Sequence, residues 1–551
     1  MKGILTVFFV LFCCSSNAQE LYLTIKGNDA KEDSLLVKHT PETTFADFKT
    51  LNDYSDKLIR KLQSEGYLNI RTDSLIKRND SVLELNLKLN KKYSHLYLVN
   101  YKKYASQITL KDSILNIAQV EGALFSILNR LSQQGKPFSQ VKLKDVNISD
   151  SDTISAKISL EVSGKRIING IVIRGYENMP YAFIKNFAGI KIGNVYNREK
   201  LIEQSERLSD LPFLKQTKTP QVLFTPDSTD LYLYYEKSRA NSFDGFLGFN
   251  NNDNNSFQLI GNIDLSLINN FNYGEELRLN YKNDGNQQEK FDLNLRLPYL
   301  FGSKFSVEGH LNFFRQDTTF SNSSQQIKLD YQVNRNISIG SSYQFENSSN
   351  LLSENMERTD VEDFEKNKFA LNFTFFDPKR LNALFLPSRF LDVTIGIANR
   401  ENEIGAQDQE FVSLEGRYIF KAFERQFVYT AVHGGFLLSD DYLSNELYRF
   451  GGINSIRGFA ENRFFANTYG LLQTEYRYLL GSNLYINSVL DFGFYDNAVD
   501  NFDENLYSFG LGVGIQTKAG LIKFIAANGG TSSQRLEFQN TQIHLKFLTF
   551  F

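Results

Sequence analysis

From about residue 243 to the end of the chain, apolar and polar residues alternate with a period of two. Phe257, Leu259, Ile263, Leu265 and Leu267 alternate with Gln258, Asn262, Asp264 and Ser266; Phe291, Leu293, Leu295 and Leu297 alternate with Asp292, Asn294 and Arg296; Phe369, Leu371, Phe373 and Phe375 alternate with Ala370, Asn372 and Thr374. Successive side chains of a strand point to opposite faces, so each segment reads as a strand with one greasy and one wet face. A soluble sandwich would alternate too, and the connections decide between them. Asn334-Arg335-Asn336, Leu480-Gly481-Ser482 and Lys518-Ala519-Gly520 are short, whereas Glu346 to Lys366, Ser439 to Asn467 and Tyr495 to Asn505 are long and polar. Sixteen candidate strands, short turns at one end and long loops at the other predict a transmembrane β-barrel, closed so that no backbone group is left unpaired in lipid. The charged run Glu357 to Lys368 reads as a solvated outer loop. The last strand, Gln539 to Phe550, carries Ile543, Leu545, Phe547, Thr549 and the terminal Phe551 on one face, and aromatics suit a membrane interface.

The first 240 residues follow another rhythm. Leu21-Tyr22-Leu23, Leu96-Tyr97-Leu98 and Ile171-Val172-Ile173 recur at a spacing of 75, and the closing segments at Leu85, Ile158 and Leu231 at a spacing of 73. Between them lie stretches of helical period, such as Leu58 to Leu62 and Ile127 to Leu131, followed by turn signals at Gly66-Tyr67, Gly135 to Phe138 and Leu211-Pro212-Phe213. Three β-α-α-β-β repeats follow, at 19–92, 93–165 and 166–239, with the barrel at 240–551. Generic α+β modules would read alike; a small sheet of this kind leaves an edge strand free to accept an extended peptide.

Ahead of the repeats, Lys2, the apolar run Ile4 to Phe12 and Ser16-Asn17-Ala18 read as a secretory leader over residues 1–18. A rival reading acylates Cys14, although Leu11-Phe12-Cys13 lacks the small residues such a site wants. Either way Cys13 and Cys14 are the only cysteines, so no thiol chemistry is expected downstream. A net charge of -3 gives no footprint for nucleic acid. The five histidines, His39, His95, His310, His433 and His544, have no metal-ligand spacing, and neither a nucleophile elbow nor a phosphate loop is present. The chain reads as a non-enzyme with no cofactor and no metal.

One motif stands apart. Tyr448 to Phe459 carries Gly451, Gly452 and Gly458 around Arg457, in the linker between candidate strands eleven and twelve. A long linker has the reach to fold back inside the barrel, where alternation places Glu475 on strand twelve and Asp491 on strand thirteen, both facing inward. A guanidinium is a permanent charge with a planar fork that holds carboxylates. An arginine on a solvated loop tip is the other reading.

Ile456-Arg457-Gly458-Phe459, Leu490-Asp491-Phe492-Gly493 and Glu475, behind tandem repeats, resemble the BamA/TamA outer-membrane assembly and secretion superfamily, and the three-repeat layout is nearest to TamA. The resemblance implies α+β periplasmic POTRA repeats followed by an all-β transmembrane barrel of 16 antiparallel strands in the outer membrane of a Gram-negative-type bacterium. It implies an assembly or translocation factor, with repeats receiving unfolded clients or a TamB-like periplasmic partner and a barrel opening into outer-membrane lipid between its first and last strands. Phe243, Phe249, Phe547 and Phe551 mark those gate strands. A two-partner-type secretion transporter and a passive porin or receptor are the alternatives.

Overall fold

The computed structural model describes residues 20–39, 43–104, 113–148, 152–251, 257–283, 288–352, 360–517 and 520–550. The expected leader, both cysteines and Phe551 lie outside the described residues. Two compact units result: residues 1–167 with 195–199, and 168–194 with 200–551.

In the first unit two modules share one topology. The opening strand Leu21–Lys26 pairs in parallel with the closing strand Val82–Lys88, and His95–Leu98 pairs in the same way with Thr153–Glu161. Arg71–Lys77 and Gln140–Ile148 lie antiparallel to the closing strands and form sheet edges. The helix Phe48–Ser64 starts where Asp47 accepts from the Thr50 amide at 2.7 Å and Thr50 returns the bond, a reciprocal cap. Its Leu51, Leu58 and Leu62, spaced to share one face, bury against Leu23, Leu83, Leu85 and Leu87. The repeats depart from β-α-α-β-β by one short strand each, Thr44–Phe45 and Ile114–Asn116, which pair with the open edge of the opening strand. The linker runs along that edge, and pairing satisfies amides that would otherwise face water.

The third module opens the second unit. Gly170–Gly175 pairs in parallel with Thr229–Lys237, and Leu214–Phe224 closes the far edge. This module is seated on the barrel turns by side chains. Phe183 packs edge-on against Tyr299 at 4.9 Å, and it fills the space at Gly274, where a Cβ would lie 2.1 Å from the ring. Asn186 donates to the Ser303 carbonyl at 2.9 Å, and Asn269 donates to the Tyr176 hydroxyl at 3.0 Å. Arg335, in the turn expected to be short, reaches Asp210 of the module at 3.2 Å and Asp377 at 3.7 Å.

Burial raises the Asp210 carboxyl above its ordinary value, and Arg335 opposes the rise. Arg335→Ala therefore strands a half-buried carboxylate, costing ~1 kcal/mol. Hydrogen exchange over 183–187 should quicken about 5-fold at neutral pH, the factor that such a cost implies. Because a raised carboxyl takes up its proton at a higher pH than an ordinary one, the defect should shrink as the pH falls into the acid range and Asp210 becomes neutral. Equal exchange in wild type and variant at neutral pH would show that docking does not rest on this pair.

The wall strands, β1 to β16 in chain order, are Ser242–Asn251, Phe257–Ile268, Glu276–Asn283, Gln288–Leu297, Phe305–Gln316, Phe320–Gln332, Ile337–Asn350, Phe364–Asp377, Arg389–Asn402, Ala406–Phe423, Gln426–Leu438, Thr468–Leu479, Leu484–Asn497, Phe502–Gln516, Leu521–Thr531 and Gln542–Phe550. Each is antiparallel to the next, and β16 returns to β1 to close the ring. Alternation sorts the faces as expected: Leu371, Ile395, Phe492 and Leu511 are exposed outside, while Gln473, Glu475, Asn487 and Asp491 are buried inside.

Several expected boundaries move. The loops expected at Glu346 to Lys366 and Tyr495 to Asn505 shrink to 351–363 and 498–501, because polar, Asn- and Ser-rich residues continue the ladder beyond the greasy band. β16 begins at Gln542, not Gln539, after a single turn at Phe538–Asn540. Of the run expected to be a solvated loop, Glu357 to Thr359 lie outside the described residues. Lys366 is only 1% exposed and points inward to Glu446 at 2.5 Å, since inward parity and a buried carboxylate outweigh the preference of lysine for water.

Candidate functional site

The linker 439–467 does not hang free. After β11 it folds inward, pins Glu446 between Lys366 of β8 and Arg400 of β9 at 2.5 Å each, and forms a hairpin of Tyr448–Phe450 with Phe464–Ala466. Gln409 of β10 adds a bond to Glu446 at 3.0 Å. Arg449 lies over the Phe314 ring at 4.1 Å. This root cluster was not read from the sequence: its members come from five separate segments, and only their shared inward parity could have pointed to it.

The hairpin carries its tip down to the wall. Ile456 and Phe459 bury with Phe450, Phe464, Ala466, Leu471, Tyr495 and Leu506 in one cluster. Gly458 takes a positive φ of 82°, and a Cβ there would come 2.6 Å from the Gly529 amide of β15. The Phe459 ring covers Gly529 in turn, where a Cβ would meet it at 2.5 Å. Both positions therefore need glycine, the first for backbone conformation and both for close approach.

Arg457 is 2% exposed and faces the acids of two neighbouring strands. Its backbone amide donates to Asp491 Oδ2 at 3.0 Å, its Nε donates to the same oxygen at 2.8 Å, and its Nη2 donates to Asp491 Oδ1. Nη1 donates to Glu475 Oε1. The other Glu475 oxygen accepts from Arg477 Nε at 2.6 Å. Asp491 is fully buried, so its charge is stable only while the guanidinium is present. The predicted Ile456, Arg457, Gly458, Phe459, Glu475 and Asp491 are thus brought together.

The wall itself is altered at this point. β12 and β13 pair from Thr468 with Asp496 to Thr474 with Leu490 and resume at Arg477 with Asn487, skipping two rungs. Side chains fill the gap: Thr474 Oγ1 donates to the Leu490 carbonyl at 2.6 Å, and the Tyr476 amide donates to Ser488 Oγ at 3.1 Å. The clamp sits where the ladder is held by side chains.

The gate residues are placed differently. Among the described residues, β1 meets β16 only at Ser242 with Phe550 and Phe243 with Thr549, whereas it pairs with β2 along its whole length. Phe243 is at that seam. Phe249 lies farther along β1, opposite Leu259 of β2, and Phe547 is partnered by Ile522 of β15, so neither is paired across the seam. Among the described residues this is the shortest ladder in the ring.

The fold is shared with solved structures. CdiB from Acinetobacter baumannii superposes with a TM-score of 0.51 at 15% identity, covering 91% of this chain and 98% of that one. CdiB from Escherichia coli gives 0.51 at 13% identity, covering 91% and 97%. BamA from Haemophilus ducreyi lacking POTRA domains 1-3 gives 0.49 at 14% identity, covering 79% and 93%. The sequence matches no protein-family model and no curated protein.

Proposed function

We propose that this chain is an outer-membrane factor of the BamA/CdiB type that assembles or translocates polypeptides, with its three modules in the periplasm and its seam as the lateral exit. The observation that carries the reading is the clamp, a loop fixed inside the barrel by Arg457 on Asp491 and Glu475, in a ring whose seam is joined, among the described residues, by two residue pairs. A passive pore needs neither. The exposed apolar band, with Leu371, Ile395, Leu511 and Ile543 on the outside of a closed ring, suits lipid.

Clients or a TamB-like partner would approach as extended chains. Arg71–Lys77, Gln140–Ile148 and Leu214–Phe224 are edge strands whose outer backbone groups can accept another strand. At the seam, a client strand would pair with the side of β1 that faces away from β2 and bury its greasy face in lipid, which supplies driving force without a nucleotide. Secretion through the lumen is the second reading, favoured by the extent of the superposition on CdiB. Insertion is preferred because the clamped loop occupies the interior.

The full chain, refolded into lipid vesicles, should speed the folding of a urea-unfolded outer-membrane barrel several-fold over protein-free vesicles, scored by heat-modifiable gel mobility. No acceleration would overturn insertion. Passage of an extended chain into the vesicle lumen, scored by protease protection, would then support secretion.

A further inference from the structure

The connection between β8 and β9, residues 378–388, lies at the short-turn end yet is far longer than its neighbours 333–336 and 424–425. It does not hang below the rim. Leu384 and Phe385 are 3% and 2% exposed and pack with Ile419 of β10, Phe427 of β11, Leu479 of β12 and Tyr485 of β13. Those four side chains face inward beside the short turns. Phe385 meets the Phe427 and Tyr485 rings edge-on, at 5.0 and 5.4 Å. Its backbone is tied down as well: the Ile419 amide donates to the Ser388 carbonyl at 2.7 Å, and Arg417 Nε donates to the Pro387 carbonyl at 3.3 Å. The segment therefore lies inside the barrel against the inward faces of β10 to β13.

Local chemistry agrees with a shaped insert. The chain has nine prolines, and two of them, Pro378 and Pro387, bracket this segment, fixing φ where it leaves and rejoins the wall. On the receiving side, Gly514 of β14 leaves room for the Tyr485 ring, which would lie 2.1 Å from a Cβ there. An apolar tip held there keeps water from the inward faces it covers.

The tip also touches the clamp through one residue. The Arg477 guanidinium lies 5.0 Å from the Phe385 ring, 4.4 Å from Tyr429 and 5.7 Å from Tyr485. Aromatic faces on this cation, together with its bond to Glu475, leave it one position. Phe385, Arg477, Glu475 and Arg457 thus form an unbroken series of contacts from the short-turn mouth to the loop.

We propose that residues 378–388 are a built-in plug of the short-turn mouth, and that Phe385, acting through Arg477, is a positioning residue for the Glu475–Arg457 clamp. An occupant entering from that side must displace Leu384 and Phe385, and in doing so it frees Arg477 and loosens the loop. The proposal goes beyond the functional reading and does not depend on the client.

The chain contains no tryptophan, so Phe385→Trp gives a lone aromatic reporter in the full-length protein. Its emission should be blue-shifted, and iodide should quench it several-fold less than Leu381→Trp, an exposed position in the same segment. Equal quenching in the two folded variants overturns the plug. In a planar bilayer, Leu384→Ser with Phe385→Ser should raise single-channel conductance several-fold while the barrel keeps its folded gel mobility. A maleimide should then label Ser455→Cys, in the loop, several-fold faster than in the otherwise unaltered chain. Unchanged conductance of the folded double variant overturns the seal, and raised conductance with unchanged labelling overturns the positioning role.

Discussion

Arg457→Ala should lower assembly or transport at least ~10-fold while the amount of folded barrel in the membrane changes far less. The guanidinium serves two buried carboxylates, and removing one partner of such a group costs about 3–5 kcal/mol, mostly as uncompensated charge. Glu475 keeps Arg477, whereas Asp491 loses its only counter-charge in the clamp and keeps two backbone amides, that of residue 457 at 3.0 Å and that of Thr474 at 3.4 Å. The loop tip must then move or admit water, and its placement on Gly529 of β15 is lost. The wall persists because its ladders do not pass through Arg457. Arg457→Lys should fall between wild type and alanine, since an ammonium keeps the charge but not the fork that spans Asp491 Oδ1 and Oδ2. Quantified barrel in the membrane, alongside client folding rate, checks both. Wild-type rates from the alanine variant would remove the clamp from the mechanism.

Joining Phe243 and Thr549 by a disulfide should abolish client insertion, and a reductant should restore it. The two residues are register partners across the seam, and directly opposed residues in an antiparallel pair lie about 4.5–5.5 Å apart at Cα, within the span of a disulfide. Cysteine pairs can be introduced cleanly once Cys13 and Cys14, the only native ones, are replaced by serine. A control pair at Phe243 and Leu265, partners between β1 and β2, should leave insertion intact, since that ladder has no need to open. Insertion that continues with the 243–549 bond closed would rule out lateral opening at this seam.

Much of the barrel was legible because a period of two sorts side chains onto two faces, and membrane and lumen demand different chemistry. Glu475 and Asp491 were read as inward-facing for that reason, and both are buried beside Arg457. Loop lengths were read less well. Strands such as β7 and β13 continue through polar residues past the greasy band, where hydrogen bonding alone holds the ladder and leaves no hydropathy signal. Lys366 was misplaced by the same gap, since a charged residue beyond the band looks alike on either face. Leu384 and Phe385 had no periodicity to mark them; an apolar pair in a turn gains meaning only when inward side chains from four distant strands converge on it.

The sequence by itself determined the repeated modules, the sixteen staves and the side of each stave that carries charge, because local hydropathy and chain direction are enough to specify a pleated surface. Closure of the ring decided the rest. Only when the wall curves back on itself do Arg457, Asp491, Glu475 and Arg477 share one small dry volume, and only there do Lys366 with Glu446 and the 378–388 insert find partners. Those contacts join residues distant in sequence, and their strength comes from the exclusion of water, a property of the enclosed space that no single segment carries.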